Sequence, residues 1–300
     1  MVFLVCSPSK EAIELGSKDP SKYLYHDSVI SEEVFEQHSK FIEILKQTEK
    51  VIDISKWVPA DCPTESLPNL IFIRDGFIST SKGVILGRMR YCIRDPETAI
   101  LEAIFNKLQV PILTRIDNQG ILEGGDFVQT STTSFFAVGT RSNRKAVEQL
   151  MRERVLDTKT VAIIYTDAPD PSMYRIHLDC VFGVIHDELC LVWDKLLDPT
   201  YSLPRWVDEY KWMDGYYYLH QVKIPLVEYL LQTGMYLIPI SDAAQQKYGC
   251  NIVRTKNCVF TQEEESTEKL KPFISVTQVK VDAIHQMYGG LHCATNEIIE

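Results

Sequence analysis

Apolar positions along this chain come in short bursts, and the spacing inside each burst switches between two kinds. Val2 to Cys6 is a continuous apolar run ended by Ser7-Pro8, which predicts a strand. Glu32 to Thr48 carries apolar residues at Val34, Phe35, Phe41, Ile42 and Leu45, a helical spacing. Val51 to Ile54 predicts the next strand. Asn69 to Ile73 then runs apolar into Arg74-Asp75-Gly76, and Gly83 to Gly87 predicts an antiparallel partner for it. Glu97 to Leu108 predicts a helix with Ile100, Leu101, Ile104 and Leu108 on one side.

The same order of events returns. Val110 to Thr114 and Ser134 to Gly139 predict strands on either side of a glycine-broken stretch, Gly120 to Gln129. A helix from about Asn143 to Arg154 and a strand from Thr160 to Thr166 follow. Ile176 to Val192 predicts a hairpin turning near His186-Asp187-Glu188, then come a helix, Ile224 to Gln232, and a strand, Met235 to Ile240. Asn251 to Val253 and Cys258 to Phe260 make a short pair, and Thr261 with Glu264 predicts a capping box opening a helix to Lys271. Only Lys195 to His220, with Trp206, Tyr210, Trp212 and Tyr216 to Tyr218, departs from the rhythm; an irregular packed connection is expected there. No Pro/Gly/Ser-rich linker divides the chain. Repeated strand–strand–helix–strand units therefore predict a single α/β domain over residues 1–300, not a doubly wound sheet.

Composition narrows the function more than the fold. With 45% apolar and 24% charged residues the chain is ordinary globular protein, and its formal charge of −10 argues against nucleic acid or an anionic membrane as partner. No apolar run reaches transmembrane length, and the start is too short and uncharged for a signal peptide. The eight cysteines are scattered without CxxC pairs, which predicts reduced thiols and a cytoplasmic protein. Gly-x-Gly-x-x-Gly, a P-loop and Gly-x-Ser-x-Gly are absent, which removes the main support for nucleotide-binding and serine-hydrolase readings.

Four places set charge or a nucleophile against apolar strands, where ionised groups are costly unless paired or used. They are Arg74-Asp75, Glu123-Gly124-Gly125-Asp126, His177 with Asp179, and the tail Gly289-Gly290-Leu291-His292-Cys293. Strand period puts His177 and Asp179 on one face, and the paired glycines are expected to turn Glu123 and Asp126 toward one point. A structural ion pair and a plain acidic turn are the bland readings of those two motifs. His177 lacks a second histidine at ligand spacing, which disfavours a metal site. An excess of carboxylates beside a cysteine suits a planar cation with several N–H donors, and a guanidinium is such a cation.

Taken in order, these motifs resemble the signature of the guanidino-group-modifying superfamily, most closely its arginine deiminase and dimethylarginine dimethylaminohydrolase branch. The resemblance spans nearly the whole chain; the start, Pro8 through Glu14-Leu15 to Asp27 and His38, is similar as well. It implies an α/β propeller (pentein) of five pseudo-symmetric units around a central site. It also implies that Cys293 is the nucleophile and His177 the acid and base, with Glu123 supporting them. Asp75 and Asp126 would grip the guanidinium, Asp179 would orient substrate or histidine, and no metal or organic cofactor would be needed. Arg94 and Arg141 match the family's other arginine positions and would hold a substrate carboxylate, near His292. Free-arginine deiminases place an arginine where this chain has His292 and carry an extra helical module for which it has little room. The expected partner is a small guanidino substrate, arginine or a derivative, with a homodimer as the assembly to test. The expected reaction is arginine deimination to citrulline and ammonia. Dimethylarginine hydrolysis, arginine dihydrolysis, amidino transfer and a non-catalytic binding propeller are the alternatives.

Overall fold

The computed structural model describes residues 1–59, 62, 64–117 and 119–299. Its strands form five small sheets among the described residues, all built on one plan. In each, a first strand pairs antiparallel with a second, which pairs in parallel with a third. Phe77–Thr80, Gly83–Leu86 and Ile112–Arg115 make one such sheet, with the helix Asp95–Leu108 in the parallel crossover. Phe182–His186, Leu189–Trp193 and Tyr236–Ile240 make another, crossed by Leu226–Gln232. The C-terminal strand Asn296–Ile298 pairs antiparallel with Val2–Val5, which pairs in parallel with Val51–Asp53, so one sheet joins the two ends of the chain.

Helices sit on these sheets because their apolar stripes need cover. Arg144–Glu153 buries Ala146, Val147, Leu150 and Met151 against Phe136, Val161 and Ile163. Each of the larger side chains removed from water contributes roughly 1.5–3 kcal/mol. The helix starts where it does because the Asn143 side chain accepts from Ala146 N at 3.1 Å. That same oxygen accepts from Ile121 N at 3.1 Å, tying the helix start to the loop that carries Glu123. No described helix is long and apolar enough to cross a membrane.

Several expectations change. Lys195 to His220 is no irregular connection: most of it enters a long hairpin, Arg205–Met213 paired with Tyr216–Pro225, which widens one sheet to five strands. Its alternating Trp, Val and Tyr residues are strand formers, and that pattern outweighs the break in rhythm. Thr261 is not a cap; it ends the strand Cys258–Thr261, and Glu263 accepts from Ser266 N at 3.0 Å to open Glu264–Leu270. Asn69 to Ile73 is not a strand either. Pro68–Ile71 and Ile73–Gly76 are tight 3-10 turns, and the strand paired with Gly83–Leu86 starts only at Phe77.

Candidate active site

The displaced strand starts share one arrangement. Asp75, Asp126 and Asp179 each sit in a 3-10 turn just ahead of the first strand of a sheet: Ile73–Gly76, Gly124–Asp126 and Leu178–Cys180. Asn251 precedes Val253–Arg254, and Cys293 precedes Asn296–Ile298, in the same manner. The first three turns pack against one another in succession. A tight turn suits this position because it satisfies much of its own backbone within a few residues. Asp126 N donates to Glu123 O at 3.0 Å, and Cys180 N to His177 O at 3.3 Å. His177 and Asp179 consequently do not share a strand face, as period two had suggested; they lie before the strand, and their side chains go to different partners.

Cys293 is buried, and its backbone carbonyl accepts from Arg74 N at 3.2 Å. Asn251 organises it. The Asn251 side-chain oxygen accepts from His292 N at 3.0 Å and lies 3.4 Å from Cys293 N, while Nδ2 donates to Sγ at 3.3 Å. Gly290 permits this approach, since a Cβ there would lie 2.5 Å from Asn251 Oδ1. Asn251 was missed at the motif level, although it stands before an apolar pair just as Asp126 does.

His177 is held from two sides. Its Nε2 donates to Glu123 Oε2 at 2.8 Å, and its Nδ1 lies 3.6 Å from Asp75 Oδ1. Glu123 is fully buried and also accepts from Arg141 Nη1 at 3.0 Å and Arg90 N at 2.9 Å. Burial alone would lower the histidine pKa, but Asp75, the Glu123 hydrogen bond and Asp126 outweigh it and raise it to about 9. Burial would raise Glu123, yet Arg141 and His177 hold it well below the usual carboxylate range. The resting pair is imidazolium and carboxylate. Cys293 behaves oppositely: burial, Asp179 and Asp75 push its thiol well above the ordinary value.

Asp75 Oδ2 accepts from Arg94 Nη1 at 2.6 Å, whereas its Oδ1 is buried without a hydrogen-bond partner. Arg94 is otherwise locked by a bidentate pair with Glu97, Nε to Oε1 at 2.9 Å and Nη2 to Oε2 at 2.8 Å. Arg141 keeps a buried Nε with no partner.

Cys293, His177, Asp75, Arg94 and Arg141 line one narrow cavity together with Leu24 and Tyr288. These last two hold left-handed backbone, φ 63° and 58°, a conformation that costs non-glycine residues and concentrates at working sites. The segments that carry them are joined where His26 N donates to Gln286 O at 2.8 Å.

Three expected residues lie elsewhere. Asp126 borders a second cavity on another side of His177, drawn there by Leu178 N, which donates to its Oδ1 at 3.1 Å. The glycines do not aim Glu123 and Asp126 at one point; Gly125 is small because a Cβ there would lie 2.7 Å from the His177 ring. Asp179 and His292 border a third cavity, with His292 Nδ1 donating to Asp179 Oδ2 at 2.7 Å and Cys293 Sγ 3.9 Å from that oxygen. Burial would raise the Asp179 pKa, but the His292 hydrogen bond and charge lower it.

Asp75, Glu123 and His177 present donor atoms within 4.8 Å of one another, the only such trio among the described residues that could hold a metal ion. The fit is poor. Arg94 and Arg141 already neutralise the two carboxylates, and a histidine that stays protonated to about 9 offers no lone pair at neutral pH.

Known proteins share this fold. The structure matches dimethylarginine dimethylaminohydrolase from Pseudomonas aeruginosa, solved with citrulline, at a TM-score of 0.71 and 14% identity over 98% of both chains. It matches the N-terminal domain of the cyanobacterial arginine dihydrolase ArgZ at 0.73 and 15% identity, over 99% of this chain and 98% of that one. At such identities the likeness shows the fold, which is that of the guanidino-group-modifying enzymes. The chain belongs to the arginine deiminase family, whose model matches residues 55–299. Among curated relatives it is 24% identical over 197 residues to the uncharacterized protein YkgA of Bacillus subtilis, covering 65% of this chain and 63% of that protein. It is 34% identical over 130 residues to the arginine deiminase of Borrelia recurrentis, covering 40% of this chain and 31% of that enzyme. The matches thus span less than two thirds of these relatives' length.

Proposed function

We propose that this chain is a cysteine-dependent hydrolase of a guanidino compound, with free arginine as substrate and citrulline and ammonia as products. The observation that carries this reading is Asp75 Oδ1, a buried carboxylate oxygen 3.6 Å from the His177 ring and without a hydrogen-bond partner, on the wall shared by Cys293 and His177. Such an atom calls for a buried donor, and a guanidinium N–H supplies one. Binding of the guanidinium releases the Cys293 thiol proton to solvent, and the Sγ thiolate attacks the guanidinium carbon to form a tetrahedral adduct. The His177 imidazolium gives its proton to the leaving nitrogen, which departs as ammonia and leaves an amidino group on sulfur. Water then attacks that carbon, neutral His177 takes its proton, and the carbon–sulfur bond breaks to release the ureido product. Glu123 keeps the imidazole oriented and charged. The raised Cys293 thiol is consistent with this order: the bound cation itself favours the thiolate. Nothing in this scheme draws on a metal or organic cofactor.

Arg141, with its spare Nε, suits a substrate acceptor better than Arg94, whose three nitrogens already donate. The proposal includes a propeller of five pseudo-symmetric units around a central site as the form of the fold, residues 1–300 as one catalytic domain, and a cytoplasmic setting. It is tested with arginine, dimethylarginine, agmatine and an arginine-containing peptide, each with and without an acceptor amine. Ureido product from arginine supports it. Transfer only in the presence of amine favours an amidinotransferase, ornithine a dihydrolase, and turnover of agmatine alone overturns the substrate assignment.

A further inference from the structure

Ahead of the first strands of the five sheets stand Cys293, three acids and one amide: Asp75, Asp126, Asp179 and Asn251. The amide lies nearer the sulfur than Asp179 does, with Nδ2 at 3.3 Å from Sγ against 3.9 Å for the carboxylate. Carboxylates suit a cation but disfavour a thiolate, and Asp179 and Asp75 already act on Cys293 in that sense. An amide at this place supplies an N–H where another acid would add a negative charge.

The amide cannot turn round. Asn251 Oδ1 accepts from His292 N at 3.0 Å and lies 3.4 Å from Cys293 N, so exchanging its oxygen and nitrogen would set donors against donors. Nδ2 is thereby left on Sγ. The backbone frame is fixed as well. Gln262 Nε2 donates to Asn251 O at 2.9 Å while its Oε1 accepts from Leu291 N at 2.7 Å, which ties the Asn251 turn to the Cys293 loop. Asn251 is wholly buried, and its N–H donates back to Tyr248 O at 2.9 Å. Tyr248 itself holds left-handed backbone, φ 62°, at a cost to a non-glycine residue. A Cβ on Gly290 would strike both amides, 2.5 Å from Asn251 Oδ1 and 2.9 Å from Gln262 Nε2.

We propose that Asn251 is a catalytic residue whose side-chain N–H stabilises the Cys293 thiolate. On the guanidino-hydrolase reading, on which this role rests, sulfur is anionic twice. It is so before it attacks, and again when the carbon–sulfur bond breaks and the bonding pair returns to sulfur. Between the two it is a thioether, which accepts hydrogen bonds weakly. A donor fixed at Sγ therefore favours both anionic states over the thiol and the adduct. Around the thiol, Asp179 and Asp75 oppose ionisation, while His177, Arg94 and Arg141 share its cavity. His292 precedes it in the chain, and Cys180 and Tyr248 lie near. Asn251 carries no charge, so removing it changes the hydrogen bond to sulfur without changing the charge of the site.

The test needs no turnover. In a Cys293→Sec chain the selenol ionises well below a thiol, which brings its midpoint into a measurable range and lets it react ahead of the remaining cysteines. Alkylation by iodoacetamide is followed against pH with Asn251, with Asn251→Ala and with Asn251→Asp. Loss of a hydrogen bond to a charged group should slow alkylation below the midpoint roughly ten- to hundredfold. The midpoint should rise by about one to two pH units, with the alkaline plateau kept. Asn251→Asp retains the acceptor for His292 N and the side-chain volume, which guards against collapse of the loop, and its midpoint should rise at least as far. A midpoint unmoved in either folded variant, with only the plateau lowered, makes Asn251 a holder of the loop and overturns the proposal. Shifted midpoints in a protein that, with Cys293 intact, turns over no guanidino compound would sink the hydrolase reading and leave the donor standing.

Discussion

His177 Nε2 lies 2.8 Å from Glu123 Oε2, and both side chains are shut away from solvent. The hydrogen bond joins residues 54 apart in sequence and, with the charges of Asp75 and Asp126, keeps protonated a histidine that burial alone would leave neutral. Replacing Glu123 with Gln should lower the His177 pKa from its value of about 9. Turnover should fall by roughly 10²–10⁴-fold, the usual worth of a positioned acid–base group. Titration of the imidazole by NMR checks the first effect and steady-state kinetics the second; an unmoved midpoint would show that Glu123 does not set the charge.

Cys293→Ser should abolish turnover, and wild-type protein quenched during turnover should carry an amidino mass increment on the peptide containing Cys293. Cys180, also buried, is the control. Its thiol is pushed up by burial and by Asp179, so Cys180→Ala should cost stability and leave the adduct in place. Mass spectrometry that finds the adduct on any other cysteine refutes the assignment.

Arg94 belongs to an ion-pair network more than to a binding subsite. Arg94→Met would leave Glu97 and Asp75 buried and uncompensated, so a stability loss of about 3–5 kcal/mol is expected. Chemical denaturation measures it. A variant of unchanged stability with only a raised KM for arginine would restore Arg94 to the substrate.

The Asp126 carboxyl is raised to about 7, chiefly by burial, against the lowering influence of His177 and Ser142. The folded chain therefore retains a proton that the unfolded chain, with a carboxyl pKa of about 4, releases. Its contribution to stability is present at acid pH and is lost as pH rises through about 7. Asp126→Asn should thus stabilise the protein more at pH 8 than at pH 5. Melting curves at the two values decide it, and a larger gain at pH 5 would reverse the sign of the argument.

Much of this protein could be read from its residues in order. Apolar spacing located most of the helices and the recurring strands, because period 3.6 and period 2 are local properties of the backbone. The motifs around Asp75, Glu123, His177 and Cys293 stood out because charge and nucleophile interrupt apolar runs at a cost. What the sequence could not decide is which neighbours those groups meet. Strand alternation placed His177 beside Asp179, yet tight turns ahead of the strands send one to Glu123 and the other to His292. Asp126 read as a partner of the substrate cation and His292 as a neighbour of its carboxylate, but they border separate cavities, since Leu178 N and Asp179 hold them there. Asn251 carried no motif, for its importance comes from a contact with Cys293 that no local pattern encodes. Spacing along the chain determines which elements form; only packing of the five sheets decides which side chains share a cavity, and with what charge.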